Sequence, residues 1–340
     1  MASLSLTIFV PLGDIKCKTP ATFGQVKQGC PIADTFNIDM KNAHSLNTTS
    51  SPVRAIDINA EKRKREIIAK LDAIPPLPAA AQEVLSIISG EPSHIKRLEQ
   101  VILHDPALTS QLLKVANSAA YSPASRIDTV QRAIVFLGFS EVRSIALSLC
   151  IGNLFKKRSG RTSINRQRFW EHSISTAMIS RLLALEVGIE ETDLHFTCGL
   201  LHDLGHLVLE LCFPEEWDRI IKFVWEHDCS LLAAERHFGY PHNLIGMWLA
   251  RTWELPEVYA RTIAGHHLPV GHPKQSFEGH LVQLADYLSH ELELGLFAPP
   301  RCNKDTVANY LGLGQERLEV LEEHLIHISE LADVMTAEFL

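Results

Sequence analysis

The chain has 340 residues, of which 46% are hydrophobic and 21% are charged, and its formal net charge is −8. This composition predicts a globular protein with one large or two modest domains, and the negative charge gives no electrostatic reason to expect nucleic acid as the main partner. No segment approaches eighteen uninterrupted apolar residues, so no membrane partner is expected. The seven cysteines are odd in number and never form a C-x-x-C pair, which favours a reducing, cytoplasmic location over a disulfide framework.

The first sixty residues lack sustained hydrophobic periodicity and include the polar stretch AHSLNTTSSP. Because such a segment cannot bury enough apolar surface to offset the entropy cost of ordering it, a flexible extension is predicted over residues 1–60. Met40 offers a later translation start within it, so an artefact of the assigned start is the alternative for part of this segment.

From Glu61 to residue 160, apolar residues recur every three or four positions, the spacing of amphipathic helices. The pattern predicts a compact N-terminal helical subdomain over 61–160. Its helices are predicted over 79–89, 93–104, 107–121, 129–138 and 141–155, with Gly90 ending the first and Asp128 capping the fourth.

The basic, polar stretch KKRSGRTSINRQR at 156–168 predicts the boundary to a second helical region over 161–295. Helices in this bundle are predicted over 167–187, 191–211, 215–227, 230–238, 242–252, 256–267 and 276–294. Two more, near 315–325 and 327–339, are predicted within a C-terminal region over 296–340. No segment shows convincing strand alternation, so the predicted fold class is all-α.

Histidines concentrate in the second region, where fourteen of the seventeen follow residue 166. His202 and Asp203 stand inside the apolar stretch FTCGLLHDLGHLVLEL, which predicts a helix with both residues near its middle. An ionisable pair is costly to bury unless something compensates its charge, and a metal ion does so directly. The alternative is that Asp203 pairs with an arginine while His202 binds a buried carbonyl group.

Further side chains of the kinds that bind metals lie before and after this pair. They are His172, His242, His266, His267 and Asp286. Imidazole and carboxylate together suit Fe, Mn or Zn, and such clusters converging in a helical bundle can hold one or two divalent ions. For His172 and Asp286, a buried polar network without metal is the alternative.

Several sequence blocks occur in a fixed order between residues 70 and 295. They are IPPLPAAAQEVLSII, HDPALTSQLLKVANSAAYS, TVQRAIVFLGFSEVRSIALSL, FWEHSISTAMISRLLA, GLLHDLGHLVL and ERHFGYPHNLIGMWLARTWELPEVYARTIAGHH. Together these blocks resemble the HDOD family, a signalling branch of the HD-type metal-dependent phosphohydrolases. The resemblance implies an all-α fold in which an N-terminal helical subdomain packs on an HD-like helical bundle.

The resemblance also implies roles for individual residues. The metal ligands of the HD superfamily correspond here to His172, His202, Asp203 and Asp286. Relatives that hold two metals have extra histidines, which correspond to His242, His266 and His267. The related HD-GYP phosphodiesterases carry a lysine three residues after the HD aspartate. His206 occupies that position here, and we predict that it faces a substrate phosphate when protonated.

Two functions follow from this resemblance. The favoured one is a regulatory signal-transduction module that acts through protein partners, because family members are regarded as regulatory outputs and the lysine is missing. The alternative is a metal-dependent phosphohydrolase acting on a nucleotide or cyclic dinucleotide, because the implied ligand set is complete. Nucleic-acid binding is disfavoured by the net charge.

Overall fold

The computed structural model describes residues 58–87, 92–155, 164–295 and 303–338, and within these ranges the chain forms helices and no β-strand. The predicted all-α class is confirmed. The predictions for the extension up to residue 57, for Gly90 and for the basic stretch at 156–163 lie outside the described residues.

The helices fall into three successive groups along the chain. The first comprises α1 (Ile58–Leu71), α2 (Ala79–Ser86), α3 (Pro92–Leu103), α4 (Pro106–Ala116), α5 (Val130–Leu137) and α6 (Phe139–Phe155). The second comprises α7 (Arg166–Glu186), α8 (Asp193–Leu201), α9 (Leu204–Cys212), α10 (Pro214–His227), α11 (Leu231–Phe238), α12 (His242–Thr252), α13 (Glu257–Gly265) and α14 (Phe277–Glu291). The third comprises α15 (Lys304–Tyr310) and α16 (Gln315–Ala337).

Two helix ends in the first group differ from the sequence prediction. Helix α4 ends at Ala116, because the Asn117 side chain donates to the carbonyl of Leu113 and to that of Ile127, which turns the chain away. The cap of α5 is Thr129, whose hydroxyl accepts a hydrogen bond from the Arg132 backbone N–H. The predicted cap, Asp128, instead pairs with the Arg132 guanidinium at 2.9 Å.

Two longer segments also divide differently from the prediction. The stretch predicted as one helix over 191–211 is two helices, α8 and α9, separated at residues 202 and 203. Conversely, the two helices predicted near the C-terminus form the single helix α16, and α15 was not predicted. Apolar spacing continues through 191–211, so periodicity alone does not reveal the break.

Helix α7 lies at the centre of the second group and packs against α8, α14 and α16. Helix α12 packs against α9 and α13, and α6 joins the first group to the second through its contact with α8. Helix α1 packs against α9 and α12. The helices that carry the candidate ligands are therefore direct neighbours.

Among the described residues, no single helix is long and apolar enough to cross a bilayer; one pair bent by 115°, Asp193–Cys212 with Pro214–His227, reaches that length and composition only jointly.

A candidate two-centre metal site

The interruption between α8 and α9 places His202 and Asp203 side by side in the bundle interior. On a continuous helix, adjacent side chains diverge by about 100°, but Asp203 leaves the helical region with φ −105° and ψ 7°. Its Oδ2 atom lies 3.4 Å from His202 Nε2. The prediction that both residues stand mid-helix is wrong, and the break allows both side chains to reach one centre.

A first group of polar side chains, here called the first centre, comes from α7, the α8–α9 junction and α14. It consists of His172, His202, Asp203 and Asp286. The His172 Nε2 atom lies 3.2 Å from Asp286 Oδ1 and 3.7 Å from Asp203 Oδ2. All four residues are at most 8% exposed. Ligand atoms of His172, His202 and Asp203 lie within 4.8 Å of one another, close enough to share one ion.

A second group, here called the second centre, comes from the start of α12 and the end of α13. It consists of Asp203, His242, His266 and His267, whose ligand atoms also lie within 4.8 Å of one another. The His242 Nε2 atom lies 3.3 Å from Asp203 Oδ1, 3.4 Å from His266 Nε2 and 3.1 Å from His267 Nε2.

Asp203 belongs to both centres and turns one carboxylate oxygen toward each. Its Oδ2 atom faces His172 and His202, whereas its Oδ1 atom faces His242 and His266. Carboxylates that reach two ligand groups in this way are typical of two-metal sites in helical bundles. The structure thus brings together all seven side chains that the sequence and the resemblance single out as ligands.

Backbone carbonyl groups orient two of the imidazole rings. The Nδ1 atoms of His202 and His266 lie 2.7 Å from the carbonyl oxygens of Gly199 and Ile263. A carbonyl oxygen only accepts, so the proton of each neutral ring belongs on Nδ1. Each Nε2 then carries a lone pair directed at the centres, which is how second-shell contacts prepare histidines for metal binding.

A serine pair performs a similar task for His172. Its Nδ1 atom lies 3.1 Å from Ser289 Oγ, which is 2.5 Å from Ser175 Oγ. All three residues are buried. The imidazole is therefore held between α7 and α14 with Nε2 toward the first centre.

Two glycines allow the helices that carry the ligands to approach closely. A Cβ atom on Gly205 would overlap the His242 carbonyl group, and one on Gly199 would overlap the Ala177 backbone. Helix α9 thus meets α12, and α8 meets α7, backbone against backbone. These glycines therefore set how closely the ligand-bearing helices approach one another.

The protonation states of Asp286, His266 and His267 match what a cation requires. Burial alone would raise the pKa of Asp286, but the neighbouring His172 ring outweighs it and lowers that pKa to about 2. Burial, followed by the neighbouring histidines, holds the pKa of His266 and that of His267 well below the ordinary value. At neutral pH the carboxylate is ionised and both imidazoles are neutral, the protonation states that bind metal.

His206, which is predicted to face a substrate phosphate, lies buried between two carboxylates in the structure. Its Nδ1 atom lies 3.5 Å from Asp203 Oδ2, its Nε2 atom lies 2.9 Å from Glu235 Oε1, and the residue is 4% exposed. Burial alone would lower the pKa of His206, but the two carboxylates outweigh it and raise that pKa to about 10. Both ring nitrogens thus lie next to protein carboxylates.

Two residues of the site were missed by sequence reasoning. Glu235, fully buried on α11, contacts both His206 and His242. His290, one turn after Asp286 on α14, has its Nε2 atom 3.4 Å from Asp286 Oδ1. For His290 the i, i+4 spacing from Asp286 was an available signal, whereas Glu235 stands in the polar run ERHFGYPH and gives none.

Comparison with known proteins finds one family that matches more than half of this chain. The family model described as HDOD domain matches residues 74–269. An uncharacterized protein of Treponema pallidum is 25% identical over 238 residues, which cover 69% of this chain and 45% of that protein. Ribonuclease Y of Clostridium novyi is 31% identical over 157 residues, covering 46% of this chain and 23% of the enzyme. The chain thus spans less than half the length of these curated relatives.

Solved structures share the fold over most of the chain. An HDOD domain protein of unknown function from Geobacter sulfurreducens superposes with a TM-score of 0.69 at 26% identity, covering 81% of this chain and 98% of that one. A signal transduction protein from Marinobacter aquaeolei, so described provisionally, gives 0.69 at 22% identity over 83% of this chain and 66% of its own. At that identity the second likeness concerns the fold alone.

Proposed function

The chain belongs to the HDOD domain family, and from this premise we propose that it is a metal-dependent phosphohydrolase with a two-ion centre. The observation that carries the proposal is the position of Asp203, whose two carboxylate oxygens face two separate sets of imidazole nitrogens. A protein that used its histidines only as core polar groups would not need two converging sets that share one carboxylate.

The donor set fits divalent cations. The Nε2 atom of His202 is buried without a hydrogen-bond partner, its nearest carboxylate oxygens being 3.4 and 4.0 Å away. Buried polar atoms are normally satisfied, and a cation between these groups would satisfy this one. Nitrogen and oxygen ligands in this mixture suit Fe, Mn or Zn. His172, His202, Asp203 and Asp286 would hold one ion, and Asp203, His242, His266 and His267 the other.

Two bound ions would neutralise the charge of a phosphate ester and activate water for in-line attack on phosphorus. The contribution of the chain is to hold the ligands rigidly and to exclude bulk water. Carbonyl groups fix the rings of His202 and His266, a serine fixes His172, and close-packed glycines fix the helices. Because these groups are buried, their electrostatic interactions are weakly screened.

The substrate class proposed is a nucleotide or cyclic dinucleotide, and the test is turnover. The purified protein is incubated with Mn²⁺, Fe²⁺, Co²⁺ or Mg²⁺ and with bis(p-nitrophenyl) phosphate, linear and cyclic nucleotides, and a short RNA. The RNA is included because Ribonuclease Y is among the relatives. We expect hydrolysis of at least one phosphodiester, abolished by Asp203→Asn. Absence of turnover with every ion would refute the proposal.

A regulatory role through protein partners is the second candidate, and the position of His206 favours it. Where related phosphodiesterases present a lysine, this chain has a buried imidazole whose charge is already balanced by the neighbouring carboxylates of Asp203 and Glu235, so that position offers a phosphate little net positive charge. If the role is regulatory, the protein should bind metal but hydrolyse no phosphodiester. Folded Asp203→Asn protein should then still capture a defined signalling partner. Partner identity and cytoplasmic location both stay predictions.

A further inference from the structure

Glu235 is a buried carboxylate that touches the second centre from outside its ligand set. The residue lies on α11 and is 0% exposed. A lone buried carboxylate is costly, and the hydrogen bonds and ion pairs of the Glu235 side chain in the described part of the chain are made with His242 and His206. One of its oxygens faces His242 and the other faces His206.

The contact with His242 is double. Glu235 Oε2 accepts a hydrogen bond from the His242 backbone N–H at 3.0 Å and lies 2.5 Å from His242 Nδ1. Since an ionised carboxylate can only accept, the ring proton belongs on Nδ1. The lone pair of Nε2 then points at Asp203 Oδ1, 3.3 Å away.

This double contact depends on a tight chain reversal. Helix α11 is capped by Gly239 with φ +78°, and the Tyr240 backbone N–H donates to the Glu235 carbonyl at 2.8 Å. Residues 240 and 241 then lead directly into α12, which begins at His242. The Glu235 carboxylate therefore contacts both the backbone N–H and the imidazole ring of His242, the first residue of α12.

We infer that Glu235 is the positioning residue of the second centre, which fixes the tautomer and direction of His242 so that the second ion binds. The inference rests on the proposed function, because it requires a metal-binding site. It concerns only one half of that site: the first centre has its own supports, the Gly199 carbonyl and Ser289. Removing the Glu235 charge should therefore weaken binding of the ion in the second centre and leave binding of the ion in the first centre unchanged.

The test is a titration of the full chain with Mn²⁺ or Zn²⁺ in a calorimeter, which measures the affinity for each ion. Metal analysis after gel filtration then counts the ions that stay bound. In Glu235→Gln we expect affinity for one ion to fall by about 10- to 100-fold, the usual cost of removing a second-shell partner, while the other ion binds as in the wild type. Glu210→Gln is the matched control. Glu210 is also a buried carboxylate on a bundle helix, but it binds Arg166 and the Ile164 backbone N–H, so both ions should be retained.

A second measurement uses the wild-type protein and therefore needs no variant. In the zinc-loaded wild type, nitrogen-15 NMR of the imidazole rings should find the His242 proton on Nδ1. A proton on Nε2 would overturn the inference, as would Glu235→Gln with both affinities unchanged. Equal weakening of both ions would also overturn it, because that result indicates general loosening of the bundle. A wild type that binds no metal refutes the proposed function itself, and the inference with it.

Discussion

The N-terminal helices and the bundle helices have different interiors. Helix α4 buries Leu108, Leu112, Val115 and Ala116, whereas α7 buries Glu171, His172, Ser173, Ser175, Thr176 and Ser180 among its apolar residues. Among the described residues before 164, the buried polar side chains are Arg143, Ser144 and Ser148, all on α6. Burying polar groups is unfavourable unless they are paired, and among the described N-terminal helices this cost is confined to α6, whereas the bundle bears it in several helices. The unfavourable burial of polar side chains in the bundle is what we expect at a functional site.

The largest effect is expected from Asp203→Asn, which removes the charge shared by both centres. Because each ion would lose the bridging carboxylate, affinity for both should fall by more than about 100-fold, beyond the usual cost of a second-shell change. Metal analysis of protein purified without chelator measures this, with circular dichroism as the check on folding. Full retention of metal in the folded variant would show that Asp203 does not bridge.

The opposite result is expected in the N-terminal core. Leu112 is completely buried, so Leu112→Ala should lower the free energy of unfolding by about 2–5 kcal/mol and leave the metal content unchanged. Urea denaturation provides the first quantity, and metal analysis at a temperature where the variant is folded provides the second. The matched control is Leu103→Ala, because that side chain is 53% exposed and its loss should cost less than about 0.5 kcal/mol. Metal loss in folded Leu112→Ala would remove the distinction between the two interiors.

A smaller effect is expected where α9 meets α12. In Gly205→Ala the new methyl group overlaps the His242 carbonyl, so the helices must separate, which should cost about 1–3 kcal/mol. The second ion should weaken more than the first, since His242 belongs to the second centre. Gly314→Ala serves as control because a Cβ there meets nothing within 4 Å. That change should cost at most about 1 kcal/mol, for the altered helix N-cap, with no effect on metal.

The smallest effect concerns pH, at the contact between α6 and α7. Burial alone would raise the pKa of Glu141, but the Arg181 guanidinium, 2.5 Å away, outweighs it and lowers that pKa below the ordinary value. A carboxylate with a lowered folded-state pKa adds stability above its unfolded pKa and loses that stability as the pH falls through the folded pKa. The difference in unfolding free energy between wild type and Glu141→Gln should therefore shrink steadily below about pH 4.5. Urea denaturation from pH 7 to pH 3 measures it, and a constant difference would contradict the assignment.

Much of the helical architecture could be predicted from periodicity, and the site could be predicted only in part. Helix α7 was expected over 167–187 and spans Arg166–Glu186. The break at His202–Asp203 escaped prediction because the apolar spacing continues across it, and φ and ψ at one residue leave no trace in composition. Glu235 escaped because its burial depends on a chain reversal that brings His242 back onto α11. Sequence identifies which residue types are present, whereas tertiary packing decides which of them meet.

If both centres hold metal, the metal content per chain shows it without any assumption about substrate or partner. Protein is purified anaerobically, without chelator or affinity-tag histidines, and analysed by mass spectrometry for Fe, Mn and Zn. About two equivalents of divalent metal are expected, as in two-metal hydrolases. No metal, even after reconstitution with each of these ions, would contradict this expectation and leave the converging histidines as structural polar groups.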